Sequence, residues 1–336
     1  MRIIIYGAGG IGGGIGARLA LAGHEVVLIC RGQHLEAINS RGLLLKAPDG
    51  EFRVAAAAVG HPRELDWREG DVVLLAMKTQ DTETALRDLE QAAGTAVPVF
   101  CAQNGVENER LTSRRFENVY ATLVAMPATF LVPGEVIASA APLSGCLHSG
   151  RYPAGSDVTA EEVCGALASS HFHAQPSTDA MALKYRKLIL NLGNGVEVIV
   201  GRSAWSAGGE LGEFVEHVRQ EALECYQAAG IVPVSSAEYA ERVTSHYRAE
   251  DVGGESRSAS STLQSILRGH ETTEVDYLNG EIELIGHLHG VPTPYNSVVR
   301  EVATRMAAAR AQPGSVTLEE LRAMVAATVN RRAARP

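Results

Sequence analysis

Lysine is nearly missing from this chain of 336 residues: of 30 basic side chains only four are lysines, Lys46, Lys78, Lys184 and Lys187. Arginine stays protonated at any working pH, whereas burial can tune a lysine to give up its proton. Where arginine carries the general positive charge, each remaining lysine becomes a candidate for chemistry. Cysteine is scarce too. The five, Cys30, Cys101, Cys146, Cys164 and Cys225, are odd in number and never spaced CxxC, which argues against a disulfide framework or a zinc site. No apolar run approaches the roughly 18 residues that a bilayer-spanning helix needs. The residues after Met1 read as a strand, not as a signal peptide. Basic residues do not dominate either: 30 against 39 acidic ones leave a net charge of −9, the reverse of a nucleic-acid footprint. His171 with His173, and His287 with His289, are spaced i, i+2, which on a helix points them in different directions. A soluble, cytoplasmic protein is expected, with no membrane, nucleic-acid or metal partner. Its 46% hydrophobic content supplies ample core, and its length suggests two domains.

What is present begins at once, in MRIIIYGAGGIGGGIGARLALAGHEVVLICR. Ile3, Ile4 and Ile5 form a β-rich run that breaks into Gly7, Ala8, Gly9, Gly10, Ile11 and Gly12. Ile11, Ile15 and Leu19 then recur at helical spacing, and Val26 to Cys30 forms a second apolar strand. Strand, GxGxxG turn, helix and strand in this order make a dinucleotide-binding βαβ unit. Gly7 permits the tight turn, Gly9 lets a pyrophosphate approach the backbone, and Gly12 lets helix and strand pack closely. The phosphates then meet free N–H groups at the helix start.

The end of the second strand selects the dinucleotide. A site for NAD offers Asp or Glu there to the ribose 2′-hydroxyl; this chain offers Cys30, Arg31 and Gly32. A carboxylate would repel a 2′-phosphate, whereas a guanidinium grips it through forked, charge-assisted hydrogen bonds. Arg31 taken alone could be a solvated surface residue. The missing acid tips the expectation to NADPH/NADP.

To about residue 178, strands and helices alternate. Asp71 to Ala76 is a buried-strand pattern ending in Met77-Lys78-Thr79-Gln80, and Val97 to Cys101 ends in Gln103-Asn104-Gly105. Val119 to Val124 is a further strand, Thr82 to Ala93 a helix, and Pro133-Gly134 and the stretch 145–155 suggest turns and hairpins. An α/β domain over 1–178 is expected, with a doubly wound, largely parallel sheet of the Rossmann type. Ligands of such sheets bind beyond the carboxyl ends of the strands, where Lys78 and Asn104 fall. From about Asp179 helical periodicity takes over, at about 180–200, 210–229, 235–249, 258–268, 272–289, 295–310 and 317–330. The last opens on Thr317-Leu318-Glu319-Glu320, a capping box. Residues 179–336 are therefore expected to form an all-α domain.

The first of those helices carries Lys184, Lys187 and Asn191. Lys187 and Asn191 are spaced i, i+4 and share a face, amid Leu188, Ile189, Leu190 and Leu192. Lys187 either snorkels at the helix edge or faces something particular, and spacing does not choose. The stretch Thr273-Glu274-Val275-Asp276-Tyr277-Leu278-Asn279-Gly280 reads by itself as a solvated helical face.

Together these motifs resemble the ketopantoate reductase family, the NADP-dependent 2-dehydropantoate 2-reductases, over nearly the whole chain. The likeness rests on the Gly7–Gly12 loop, Arg31, the Lys78 motif, Gln103-Asn104-Gly105, Arg186-Lys187-Leu188 with Asn191, and the Thr273–Gly280 stretch. It implies that Lys187 is the proton donor and that Glu274 joins it on the cofactor and substrate side. It implies that Lys78 and Asn104 touch the nicotinamide ribose end, and that Asn104, Asn191 and Ser261 contact the substrate. The implied reaction is NADPH-dependent reduction of a small 2-oxo acid, ketopantoate to pantoate, in pantothenate biosynthesis. The helical domain is then the expected seat of substrate binding and of a homodimer contact.

The chain departs from the family pattern on the substrate side. A second asparagine belongs four residues after Asn191; Gly195 stands there, with Asn194 one step early. Another belongs where Ser258 stands, three residues before Ser261, and a third where Gly208 precedes Gly209-Glu210-Leu211. Sites built to hydrogen-bond a substrate discriminate strongly, so these changes point to another substrate, unless Asn194 reaches the same atom through an irregularity around Gly193 and Gly195. Two alternatives stay open: a reductase of the same architecture acting on a different ketone or imine, and a non-catalytic NADPH-sensing regulator. The intact Lys187, Asn191 and Glu274 favour an enzyme.

Overall fold

Alternate side chains of β1 (Arg2–Tyr6) enter two different cores. Ile3 and Ile5 join Ile15, Leu19 and Leu28, while Ile4 and Tyr6 join Leu86, Leu89 and Val99. A strand covered on both faces needs apolar residues at every position, which is why the sequence shows a continuous run there. The structure is a computed structural model and describes residues 1–207, 209–253, 262–263 and 273–333. Gly208, Ser258, Ser261 and nearly all of the helix expected at 258–268 lie outside the described residues.

Around β1 lie β2 (Glu25–Ile29), β5 (Ala57–Val59), β6 (Asp71–Leu75), β7 (Val99–Cys101), β8 (Val119–Ala125) and β12 (Cys146–Arg151). They form a seven-stranded sheet ordered β12-β8-β7-β6-β1-β2-β5, in which only β12 runs antiparallel to its neighbour. With β2 on one side of β1 and β6 on the other, the strand order reverses between β1 and β6. Such a switch point is where doubly wound sheets bind ligands. A second sheet, ordered β4-β3-β10-β9, is built from β3 (Leu43–Ala47), β4 (Gly50–Val54), β9 (Ala128–Thr129) and β10 (Glu135–Ala138).

Between the two sheets runs α1 (Gly10–Leu21). A Cβ at Gly16 would lie 2.6 Å from Leu28 Cδ2, and one at Gly13 would lie 2.7 Å from Val136 Cγ1, so the helix is pressed from both sides. Arg18, on the same helix and buried, pairs with Asp49 in the β3–β4 turn at 2.5 Å and donates to Ser144 Oγ at 2.9 Å. The remaining helices of this half are α2 (Gly32–Arg41), α3 (Thr79–Ala93), α4 (Glu107–Ser113) and α5 (Val158–Ala168).

Two compact units divide the chain: residues 1–184 with 234–257, and residues 185–233 with 258–336. The first therefore includes an arm that a single cut at 178 assigns to the helical domain. Its elements explain why. After α6 (Ala180–Asn191), α7 (Gly193–Ala207) and α8 (Glu210–Ala229), the arm forms α9 (Ser236–Arg242), a 3-10 turn at Thr244–His246 and β13 (Tyr247–Ala249). That last strand pairs antiparallel with β11 (Ala140–Pro142). Val234, Tyr239 and Val243 pack with Leu123, Ala125, Cys146 and Leu183, and Arg242 pairs with Asp179 at 2.7 Å. The helix expected over 235–249 stops at Arg242 because the residues beyond it complete a sheet edge.

The second unit is helical among the described residues, with α7, α8, α10 (Asn279–His289), α11 (Pro294–Ala308) and α12 (Leu318–Ala333). The stretch expected as one helix over 180–200 breaks after Asn191. That expected over 272–289 opens as a 3-10 turn, Glu274–Tyr277, before α10 begins. Before α12, Thr317 N donates to Glu320 Oε2 at 2.8 Å and Glu320 N to Thr317 Oγ1 at 3.2 Å, the reciprocal capping box. Among the described residues no helix is long and apolar enough to cross a membrane, and no three His, Cys, Asp or Glu side chains are grouped to hold a metal ion.

Candidate functional site

The ends of β1, β2 and β6 are tied together where the glycine loop begins. Gly7 N donates to Ile29 O at 3.0 Å, and Ala76 N to Tyr6 O at 2.8 Å. Gly7 has φ +100°, and a Cβ on it would lie 2.5 Å from Met77 N, so conformation and space both require glycine. Gly12 is required by space: its Cβ would lie 2.2 Å from Gly7 O. Gly9 is different. It has an ordinary φ of −72°, and a Cβ there would meet nothing within 4 Å. The bare backbone at Gly9 faces open space, and the start of α1 behind it has no side-chain cap. Uncapped helix N–H groups beneath an open glycine suit a phosphate. Arg31, exposed, is the residue at which β2 gives way to α2, and the first turn of α2 carries no acid. The residues present therefore fit a dinucleotide that bears a 2′-phosphate.

Two further turns reach the same edge. Lys78 is the N-cap of α3 after β6, and Asn104 follows β7, whose end is held by Ala102 N donating to Leu75 O at 2.9 Å. Beneath them runs a buried polar network with no obvious signature beyond its concentration of Thr, Gln and Asn. Gln103 Nε2 donates to Thr82 Oγ1 at 3.1 Å, and Thr82 Oγ1 to Asn108 Oδ1 at 2.8 Å. Asn108 Nδ2 donates to Thr79 Oγ1 at 3.1 Å, with a longer contact of 3.4 Å to Asn104 O. Thr79 follows Lys78 directly, so this network locks the Lys78 turn to the Asn104 turn. His34, in the Arg31-Gly32-Gln33-His34 stretch after β2, is a second residue of this edge that motif reading passes over.

The lysines divide. Lys46 pairs with Glu135 at 2.8 Å on the second sheet. Lys184 is buried, donates to Cys101 O at 3.1 Å and pairs with Glu109, whose carboxyl burial pushes above its usual range. Those two serve the fold. Lys187 lies half-buried on α6, one turn from the half-buried Asn191.

In the second unit the turn that carries Glu274 packs onto the α6–α7 joint. Asn279 Nδ2 donates to Leu192 O at 3.2 Å and to Asn296 Oδ1 at 3.0 Å. Asn296 in turn is held by Glu221, which accepts from Asn296 N at 2.9 Å and from Tyr295 N at 2.8 Å. Thr273, Glu274, Val275, Leu278 and Asn279 are all buried, so this stretch is not the solvated face that its polarity suggests. A Cβ at Gly195 would lie 2.7 Å from Val299 Cγ1 and 3.3 Å from both Val275 Cγ2 and Asn279 Oδ1. Position 195 therefore faces packed interior, while Asn194 beside it is half-buried, two residues after the break at Leu192. The structure thus gathers Gly7, Ala8, Gly9, Gly10, Ile11, Gly12, Arg31, Lys78 and Asn104 on one edge of the first unit. In the second unit Lys187 and Asn191 lie on α6, and the turn that carries Glu274 reaches the α6–α7 joint through Val275 and Asn279.

Residues 3–147 match the family described as Ketopantoate reductase PanE/ApbA, and residues 179–307 match that family's C-terminal region. A 2-dehydropantoate 2-reductase of Pyrococcus horikoshii is 27% identical over 300 residues, 88% of this chain and 94% of that protein. One from Lactococcus lactis is 26% identical over 303 residues, 88% of this chain and 94% of that protein. Among solved structures, a PanE/ApbA family ketopantoate reductase from Ralstonia eutropha superposes with a TM-score of 0.76 at 27% identity, covering 92% of this chain and 99% of that one. A D-mandelate dehydrogenase solved with NADH and anilino(oxo)acetate shares the fold, with a TM-score of 0.78 at 23% identity over 92% of this chain and 99% of that one. The chain belongs to the ketopantoate reductase family and is a nicotinamide-dependent oxidoreductase.

Proposed function

We propose that this enzyme reduces a 2-oxo acid with NADPH, with 2-dehydropantoate to pantoate as the first candidate. One observation carries the reading: an uncapped α1 start beneath open Gly9, joined at the end of β2 by Arg31 where an acid would otherwise stand. Gly7 to Gly12 would hold the pyrophosphate, Arg31 the 2′-phosphate, and Lys78 and Asn104 the nicotinamide ribose end. Bound NADPH supplies the hydride that the ketone carbon takes up. Negative charge then gathers on the ketone oxygen, and the Lys187 ammonium both stabilises it and passes it a proton, leaving a hydroxyl. Asn191 shares the face of Lys187 and, with Asn104 and Ser261, is assigned to the acid. Glu274 is assigned to hydroxyl groups on the cofactor and substrate side. On this reading the enzyme works in the cytoplasm on a diffusible acid, and its helical unit carries the homodimer contact.

A second reading has one observation in its favour. Position 195 points into packed interior and bears no side chain, so a less hydroxylated 2-oxo acid, of the kind bound by the D-mandelate dehydrogenase of similar fold, competes with ketopantoate. An NADPH-oxidation assay across a panel of 2-oxo acids that includes ketopantoate separates the two. Lys187→Ala should lose about 10²–10⁴-fold in turnover on the best substrate while still binding NADPH. Near-normal turnover in that variant, or no oxidation with any 2-oxo acid, would overturn the assignment.

A further inference from the structure

We propose that His34 is a positioning residue for the cofactor: a neutral imidazole strut that fixes the Ala8–Gly9 peptide of the glycine loop against the second sheet. The proposal rests on the assignment of Gly7 to Gly12 to the pyrophosphate. His34 lies in the first turn of α2 and is 7% exposed. Its Nε2 is 2.8 Å from Ala8 O, and its Nδ1 is 2.9 Å from Gly134 N. A backbone N–H only donates, so Nδ1 must be bare and accept. A carbonyl only accepts, so the one ring proton sits on Nε2. The two partners together select a single neutral tautomer. Burial acts in the same direction by holding the ring below the usual imidazole range.

Geometry links this strut to the cofactor. In a trans peptide the C=O and N–H point to opposite sides. Holding the Ala8 carbonyl toward His34 therefore turns the Gly9 N–H the other way, with the peptide plane fixed at the residue whose surroundings are open. Ala8 itself is buried, so the restraint acts on a side of the loop that a bound dinucleotide does not need. The far end of the strut is firm as well. Gly134 precedes β10 with φ +82°, its carbonyl accepts from Leu44 N at 2.9 Å, and Arg41 donates to the neighbouring Pro133 O at 2.8 Å. Phe130 covers the imidazole with ring centroids 4.4 Å apart. The second sheet thus sets the orientation of one peptide in the loop, which explains why the first turn of α2 carries a buried histidine.

Two variants and one spectrum test this. His34→Leu keeps bulk and loses both hydrogen bonds; His34→Gln restores one donor and one acceptor. His34→Leu should raise the Kd and KM for NADPH about fivefold to tenfold, the size of one lost net hydrogen bond, with kcat at saturating NADPH and KM for the oxo acid near wild type. His34→Gln should recover most of that loss. In 15N-histidine spectra the wild-type His34 should show the Nε2–H tautomer at neutral pH and shift on addition of NADPH. Equal NADPH affinity in wild type and His34→Leu, a parallel loss in kcat and both KM values, or an Nδ1–H tautomer would each overturn the role. A wild-type chain that binds no nicotinamide dinucleotide would remove the loop assignment and this proposal with it. If His34→Leu fails to fold, the wild-type spectrum and His34→Gln still decide.

Discussion

A methyl group at position 12 would lie 2.2 Å from Gly7 O and 2.8 Å from Ile5 Cγ2, whereas one at position 9 would meet nothing within 4 Å. The two glycines of one loop therefore answer to different demands, and alanine separates them. Gly12→Ala should destabilise the fold by about 1–3 kcal/mol, because its neighbours include backbone that cannot step aside cheaply. Gly9→Ala should leave the melting temperature within a degree or so of wild type yet weaken NADPH binding, since its methyl would occupy the open space that the proposed function assigns to the pyrophosphate. Thermal melts paired with NADPH titration check both, and a Gly9→Ala protein that binds NADPH normally would remove the loop from the site. Arg31 acts at the same scale. Arg31→Ala should raise the KM for NADPH about tenfold or more, the worth of a charge-assisted hydrogen bond, while that for NADH changes little. Equal losses with both cofactors would show that Arg31 does not read the 2′-phosphate.

Among the elements, the α6–α7 joint is where the family pattern and this chain part. Gly195 looks in the sequence like a lost substrate contact, but its Cβ direction meets Val299, Val275 and Asn279. Gly195→Asn should therefore cost stability and recover no ketopantoate affinity, because a side chain there is an overpacked core residue. Asn194 is the neighbour that is not fully buried, and the helix is interrupted at Leu192, two residues before it. If it serves the substrate, Asn194→Ala should lower kcat/KM for ketopantoate about tenfold, yet barely alter that for the analogue lacking the 4-hydroxyl. A uniform effect on both acids would exclude a contact with that hydroxyl. Spacing along the chain placed Lys187 and Asn191 on one face, since i, i+4 geometry is local. It did not show which way position 195 points, because that depends on Val275 and Val299, 80 or more residues away.

At the scale of the whole molecule, one contribution to acid stability lies where the 234–257 arm packs within the first unit. His173 stacks on His246 with ring centroids 3.5 Å apart and meets His148 edge-on at 5.3 Å. His148 contacts Arg242 O at 2.9 Å, and Arg242 binds Asp179. Burial, then the neighbouring His246 and His148, lower the His173 pKa from 6.5 to about 4. The unfolded chain thus takes up this proton near 6.5 and the folded chain only near 4. Stability should fall as the pH drops through that window and level off below it, with no contribution from His173 above it. Asp179, held down to about 2 chiefly by its hydrogen bond from Arg242, stays ionised throughout, so its ion pair persists across the window. Melting temperatures of wild type and His173→Phe across the window check this: the variant should show the shallower slope, and equal slopes would exclude His173.

The glycine loop between strand and helix, the missing acid at Arg31, the strand-end positions of Lys78 and Asn104 and the capping box at Thr317 were legible in the sequence alone. Each is written within a few consecutive residues by turn chemistry, side-chain periodicity or a helix terminus. Why α1 also carries Gly13 and Gly16 was not legible, since glycine inside a helix is unfavourable until a second sheet presses Val136 against the face opposite Leu28. Nor was the difference between Lys184, buried against Glu109, and Lys187 three residues on, or the return of residues 234–257 to the first unit. Those outcomes depend on partners scores of residues distant, and only tertiary packing decides which surfaces meet.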